Sequence, residues 1–312
     1  MLHRHDLSDA EWAQLDPLLP DRTPARGGRW ADHRVVINGV LWRTRTGSPW
    51  RDLPADYGNW KTVYNRHRRW SRDGTWARVL GRLRRGCDVP EGKDWTVGVD
   101  STVVGPISTP PARGMLRPPR PSQGAGSNDK NLGPSPDPGP DREGLGRSRG
   151  GLTTKVHLAA DRLARPIARV TTPGQRHDAV MFTAVLAAIH IARPGRGRPR
   201  TRPGHVLADK AYSSKAIRGL LRRRAIAATI PEKADQKAHR ARRGSTGGRP
   251  PGFDAERYKQ RNTAERAINK LKGHRGFATR YDKREDIYQG TIDVATIRIW
   301  LRSPEQDLRD RP

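Results

Sequence analysis

Apolar positions recur along this chain with two different periods, and the change of period divides it. Over roughly the first 90 residues the spacing is helical. Ser8 and Glu11 make a capping-box signature ahead of Trp12, Leu15 and Leu18, which predicts a first helix. Val36, Val40 and Leu41 form the stripe of a second, expected over Asp32 to Thr46 and stopped by Gly47, after which Pro49 and Pro54 enforce a loop. Asn59 is the N-cap candidate of a third, WKTVYNRHRRWSR. It carries Trp60, Val63 and His67 on one side and Lys61, Arg68 and Arg72 elsewhere; Asp73-Gly74 ends it and a fourth begins at Thr75.

After residue 93 the period shortens to two. WTVGVDST alternates, GLTTKVHLAAD and PIARVTT read as a hairpin about Asp161-Arg162, and HVLADKAY and AIAATIP follow. Helices are expected over Asp178 to Ala192 and Ser214 to Arg224. Three strands, helix, strand, helix, strand, helix is the order of an α/β domain with a mixed sheet, preceded by a small all-helical domain. Two stretches break the pattern: Gly105 to Arg147, rich in Pro, Gly and Ser, and Lys233 to Gly252, rich in Lys, Arg and Gly. Both read as disordered or loosely held loops.

Charge adds a partner. Sixty-one Lys and Arg face 32 Asp and Glu, a formal charge of +29 that repels itself unless a polyanion lies against it, so nucleic acid leads. Short helices and an Arg-rich third suit a helix-turn-helix whose third helix, with Arg68 and Arg69, enters a groove; a Trp-cored bundle with a solvated basic face fits the same pattern equally well. Ala184 to Ala192, the longest apolar run, contains a His and is too short to span a bilayer. The polar start and the single Cys87 predict an intracellular, cytoplasmic protein with no membrane partner.

The candidate chemistry lies in three acids from three elements: Asp100 in the first long strand, Asp209 at the end of a later one, and Glu265 in a helix near the C-terminus. Singly they read as a turn residue, a helix cap and a solvated helix acid. Together they would make an oxygen-only site suited to two Mg²⁺ or Mn²⁺ ions roughly 4 Å apart, an arrangement that serves phosphodiester chemistry. Tyr258, Arg261, Glu265 and Lys272 are spaced to share one face of a single helix, with Ala264, Ala267, Ile268 and Leu271 opposite. Such a face could hold metal and grip phosphates, or it could carry an ordinary i,i+4 ion pair between Arg261 and Glu265.

These motifs, in this order, resemble the DDE transposases of bacterial insertion sequences, and the likeness spans nearly the whole chain. VGVDST and VLADKAYSS resemble the family's first and second Asp blocks, and Tyr258-x2-Arg261-x3-Glu265-x6-Lys272 its C-terminal signature. GRSRGGLTTKVHL and TPGQRHDA are typical of it, and HDLSDAEWAQLDPLLP with GGRWADHRVVINGVLWRTRTGSPWRDLP is similar to the helical domain of one subgroup. The resemblance implies an RNase H-like catalytic domain over about 93–302, a DNA-binding domain over 1–90, and two divalent ions on Asp100, Asp209 and Glu265. It implies DNA contacts by Tyr258, Arg261 and Lys272, with Lys210 a weaker candidate. It further implies nicking of double-stranded DNA at terminal inverted repeats, attack of the freed 3′-hydroxyl on target DNA, and at least a homodimer to bring two ends together in the bacterial nucleoid.

One departure stands out. After Asp100-Ser-Thr-Val-Val the family usually continues Arg-Ala-His-Gln-His-Ala-Ala-Gly-Ala-Arg, whereas this chain reads GPISTPPARG. GC-rich codons for the usual residues, read from the second base, give GPISTPPAR, the sequence of Gly105 to Arg113. Gly105 to about Glu143 is therefore expected to be an out-of-frame replacement, and a relic that binds DNA without cutting it is the alternative to an active enzyme.

Overall fold

The structure, a computed structural model, describes residues 4–23, 30–105, 143–148 and 151–302. Most of the expected Pro-rich loop, 106–142, and with it the out-of-frame reading, lies outside the described residues.

The first helices form where their caps dictate. α1 (Asp9–Leu15) opens on Ser8, whose hydroxyl accepts from the Glu11 N–H at 3.3 Å while the Glu11 carboxylate accepts from the Ser8 N–H at 2.8 Å. α2 (His33–Thr46) starts at Asp32, which accepts from two backbone N–H groups, and stops at Gly47 with φ 72°. α3 (Trp60–Arg72) is capped by Asn59, and α4 (Thr75–Leu83) follows the Asp73-Gly74 turn. Trp70 of α3 and Trp76 of α4 meet edge to face at 4.9 Å, both fully buried.

Beyond them lie β1 (Thr96–Val104), β2 (Gly146–Ser148), β3 (Gly151–Ala160), β4 (Pro166–Pro173), β5 (His205–Ala208) and β6 (Ala227–Thr229). They form a mixed sheet in the order β4-β3-β1-β5-β6. The first three are antiparallel neighbours, β5 and β6 run parallel to β1, and β2 pairs with the first residues of β3. Alternation along the central strand sends its side chains to two cores. Val97 and Val99 meet Phe182, Val185 and Leu186 of α5 (Asp178–Ala187) and Ile217 and Leu221 of α6 (Lys215–Arg223). Val104, with Val156, Leu158 and Ala160 of β3, meets α9 (Asn262–Lys272), α10 (Arg275–Ala278) and α11 (Glu285–Leu301).

From Gly290 to Leu301 every residue of α11 is buried, the polar Thr291, Asp293, Thr296 and Arg298 among them. Tyr288, Ile292, Ala295 and Ile299 serve the core under α9, whereas Val294, Ile297, Trp300 and Leu301 join the core that contains Val36, Val63 and Trp70 of α2 and α3. Polar ties follow the same route. Arg43 of α2 forks onto Asp282 at 3.0 and 3.1 Å, Thr291 donates to Asp282 at 2.7 Å, and Arg298 donates to Glu11 at 2.7 Å.

Two expectations are corrected here. The helix expected over Asp178 to Ala192 ends at Ala187: beyond it Ile189 and Ile191 are buried in the core, and Ile191 bridges to Arg200. Within the stretch expected to be a loop, α7 (Ala234–Arg242) forms. Its Ala, Gln, Lys and Arg residues favour helix, and Gln236 fastens it by accepting from the Ser213 hydroxyl and donating to the Ser213 carbonyl, each at 2.7 Å. Among the described residues, no helix is long and apolar enough to cross a membrane.

Candidate active site

Val99 of β1 pairs with Ala208 of β5 in parallel register, so Asp100, still within β1 opposite Leu158 of β3, and Asp209, the first residue past the end of β5, follow side by side. Adjacent strands are spaced about 4.8 Å apart, which puts the two acids within one cation's reach of each other. Asp100 accepts from the Ser101 N–H at 2.8 Å, and Asp209 caps a short turn by accepting from the Ala211 N–H at 2.8 Å.

Glu265 arrives from α9. That helix lies against β1 because residue 98, on the same face of the strand as Asp100, is glycine: a Cβ there would stand 3.0 Å from Thr263 Oγ1 and 3.2 Å from Ala264 Cβ. Ala264, Ala267, Ile268 and Leu271 are buried against the sheet, as their spacing predicts. The single helix expected to carry Tyr258 through Lys272 is two, α8 (Ala255–Lys259) and α9. At the joint the N–H groups of Gln260, Arg261, Thr263 and Ala264 bond three residues back, which tightens the turn and breaks the 3.6-residue register. Tyr258 and Arg261 still meet, with the guanidinium 5.9 Å from the ring centroid.

The electrostatics tie these groups together. Burial raises the pKa of Asp100; the Ser101 N–H and the Arg261 charge pull against that, while Asp209 and Glu265 push it further up. Arg261 donates to Glu265 at 2.6 Å. Burial works against the Arg261 charge, but Glu265, Tyr258 and Asp100 outweigh it and hold its pKa above the usual value. The Tyr258 hydroxyl is pushed up by burial and by Asp209, Glu265 and Asp100, against the pull of Arg261.

The remaining candidates are placed more simply. Lys210, directly after Asp209, and Lys272, the last residue of α9, are exposed. Arg68 and Arg69 lie on the exposed side of α3, in the helical half, with Arg69 5.7 Å from the Trp30 ring. Arg72 of the same helix is held by Asp286 at 2.7 Å.

Sequence reasoning passed over a second cluster, on the opposite side of β1 from Asp100. Ser101 donates to Asp178 Oδ1 at 2.6 Å, Lys155 donates to the same oxygen at 3.1 Å, and His157 Nδ1 lies 3.7 Å from it. Burial alone would raise the Asp178 pKa; Ser101, Lys155 and His157 reverse this and lower it. The signal was in TPGQRHDA, whose Asp is residue 178. Behind both clusters the buried Tyr212 hydroxyl is kept protonated, first by burial and then by Asp178, Asp100 and Asp209.

The donors near Asp100 are carboxylate oxygens, which suit a hard divalent cation, and such a cation would offset the burial that chiefly raises the Asp100 pKa and the lesser repulsion from Asp209 and Glu265. Among the described residues, however, no group of three or more His, Cys, Asp or Glu side chains is drawn together closely enough to hold a metal ion. Glu265 is turned to Arg261 instead. Asp100 and Asp209, two carboxylates from neighbouring strands, have donor chemistry that suits such a cation, whereas Glu265 as it stands is occupied by Arg261.

Comparison with known proteins converges on one family. Residues 133–299 match the transposase DDE domain, and residues 7–80 match a putative transposase of the IS4/5 family. The first span begins downstream of Asp100. A putative transposase for insertion sequence element IS6501 from Brucella ovis is 29% identical over 151 residues, covering 48% of this chain and 100% of that protein. A putative transposase for insertion sequence element IS402 from Burkholderia cepacia is 30% identical over 158 residues, covering 50% of this chain and 67% of that protein. The uncharacterized protein y4sN of Sinorhizobium fredii is 32% identical over 98 residues, covering 31% of this chain and 74% of that protein. With a DDE-domain match over more than half its length and a mixed sheet flanked by helices, the chain belongs to the DDE transposases of insertion sequences, enzymes with an RNase H-like fold.

Proposed function

We propose that the protein cleaves DNA at the terminal inverted repeats of its insertion sequence and joins the freed 3′-hydroxyl to target DNA, with Asp100, Asp209 and Glu265 as the cation-holding acids. The observation that supports this best is the parallel register of Val99 and Ala208, which sets Asp100 and Asp209 side by side under α9. Bound there, two divalent cations of the Mg²⁺ class would supply activation of the attacking oxygen and stabilisation of the leaving oxygen. Arg261 exchanges Glu265 for a backbone phosphate, freeing the carboxylate as DNA enters. Tyr258 orders the guanidinium, and the exposed Lys210 and Lys272 grip phosphates on either side. Arg68 and Arg69 of α3 hold the end sequence, and two copies of the chain hold the two ends. Its DNA substrates put this work in the bacterial cytoplasm, at the nucleoid.

The test is Mg²⁺-dependent nicking and joining of labelled duplex carrying the flanking inverted repeats, with Asp100→Asn as control. Products that vanish in the control support the reading. A second reading, a relic that binds without cutting, draws on the departure from the family pattern at Gly105 to Arg113. Binding without nicking by the wild-type chain would favour it, as would a one-base offset in the nucleotide sequence of that segment.

A further inference from the structure

Away from the acids, a small cleft of about 40 Å³, partly open to solvent, is lined by Arg4, His5, Leu41, Arg45, His274, Arg298 and Arg302. Four guanidinium groups and two imidazoles thus converge from four places: the N-terminal arm, α2, the turn after α9 and the end of α11. Arg298 donates to Glu11 at 2.7 Å and to the Asp6 carbonyl at 3.1 Å. His274 is only 7% exposed, and its Nδ1 is buried without a hydrogen-bond partner among the described residues. A buried imidazole nitrogen left unmatched beside these cations is a hydrogen-bonding position that a bound oxyanion would satisfy.

We propose that this cleft seats a phosphate-class oxyanion, filled in the working complex by a backbone phosphate of DNA. Guanidinium forks match phosphate oxygens bidentately, and His274 Nδ1 supplies a further donor once protonated. DNA is favoured over a small metabolite because the cationic surface continues past the cleft. Arg4 and Arg45 are exposed at its mouth, and Lys272 and Arg275 flank the same turn, exposed as well. This source rests on the DNA reading above; the oxyanion site itself does not. Arg45 donates to the Gly273 carbonyl at 2.6 Å, so a phosphate held here is tied to the end of the helix that carries Glu265.

The imidazoles supply the readout. Burial first, and then the surrounding arginines, depress the pKa of His5 and bring that of His274 down to about 3. An anion in the cleft reverses the second effect and raises both. The experiment titrates histidine-labelled full-length protein carrying Asp100→Asn, first with inorganic phosphate and then with a short duplex.

The expected result is a saturable shift of the His5 and His274 resonances with a rise in pKa, and displacement of phosphate by duplex. Phosphate affinity should fall at least tenfold in Arg4→Gln/Arg302→Gln, while Arg4→Lys/Arg302→Lys, which keeps the charge, retains most of it. In the glutamine variant the slope of log affinity for DNA against log salt should also shrink by about 0.9, one phosphate contact. No saturable shift, or one indifferent to the arginine variants, overturns the site. Phosphate binding that duplex does not displace overturns the DNA source. Because the acids are disabled throughout, failure of the cleavage reading leaves these outcomes unaffected.

Discussion

Arg261 donates to Glu265 across 2.6 Å, and its charge also favours the ionised form of Asp100. One cation from the protein's own chain thus stands beside the acids proposed to hold cations from solution. Arg261→Gln is expected to tighten Mn²⁺ binding to the DNA-free protein several-fold, read by electron paramagnetic resonance, and to lower cleavage at least tenfold because the phosphate grip is lost. Unchanged Mn²⁺ affinity together with unchanged cleavage would refute the exchange.

The raised pKa of Asp100 has a consequence for rate. The carboxylate must be ionised to hold a cation, so the acid limb of Mg²⁺-dependent cleavage is expected above the ordinary Asp range near 3.8. Removing Arg261 takes away a charge that lowers this pKa, so in Arg261→Gln the limb should move further up. A pH–rate profile of the two proteins that shifts the opposite way would count against the arrangement.

Stability should respond to acid through histidines. His67, His157 and His205 are buried, and burial chiefly brings the pKa of each down to about 4. Unfolded, they titrate near 6.5, so between 6.5 and 4 the unfolded chain binds more protons. Their contribution is intact above pH 6.5 and is lost as pH falls toward 4, by about 2 kcal/mol each at pH 5. Urea unfolding at pH 7 and pH 5 checks this, and His67→Gln should recover about one such share.

The Arg43–Asp282 pair is nearly inaccessible, at 4% and 5% side-chain exposure. Asp282→Ala strands a buried guanidinium and should cost about 3–5 kcal/mol, whereas Arg43→Met/Asp282→Leu should regain most of the loss. Equal destabilisation by the single and the double variant, measured by denaturant titration, would contradict this.

Gly98 lets α9 approach the sheet. Gly98→Val would push Thr263 and Ala264 outward and move Glu265 with them, so cleavage should drop about a hundredfold. Binding of duplex, which depends on surface cations, should change far less. If both fell together, α9 would be holding the fold and not aiming the acid.

Much of this was legible beforehand because local signals carried it. The caps at Ser8, Asp32 and Asn59 and the stop at Gly47 are written in adjacent residues, and strand alternation located β1 and β3. The three acids are proposed from the family resemblance of their motifs. What escaped depended on distant partners. Nothing near Gln236 announces that it will clasp Ser213, so α7 looked like loop. Nothing in the periodicity of 255–272 reveals the tightened turn at Arg261, since its apolar positions suit one helix or two. Asp178 sat in plain view, but its meeting with Ser101, Lys155 and His157 requires β1, β3 and α5 to be assembled first.

α11 lends one flank to the first helices and the other to the core beneath α9, so neither half has a finished interior without it. Were a DNA end gripped by α3 as proposed, it would not be on a tether: it would be held by a strut continuous with the sheet that carries Asp100, and the distance from recognised sequence to cut would be set as by a rigid ruler, with no slack to absorb an added base pair.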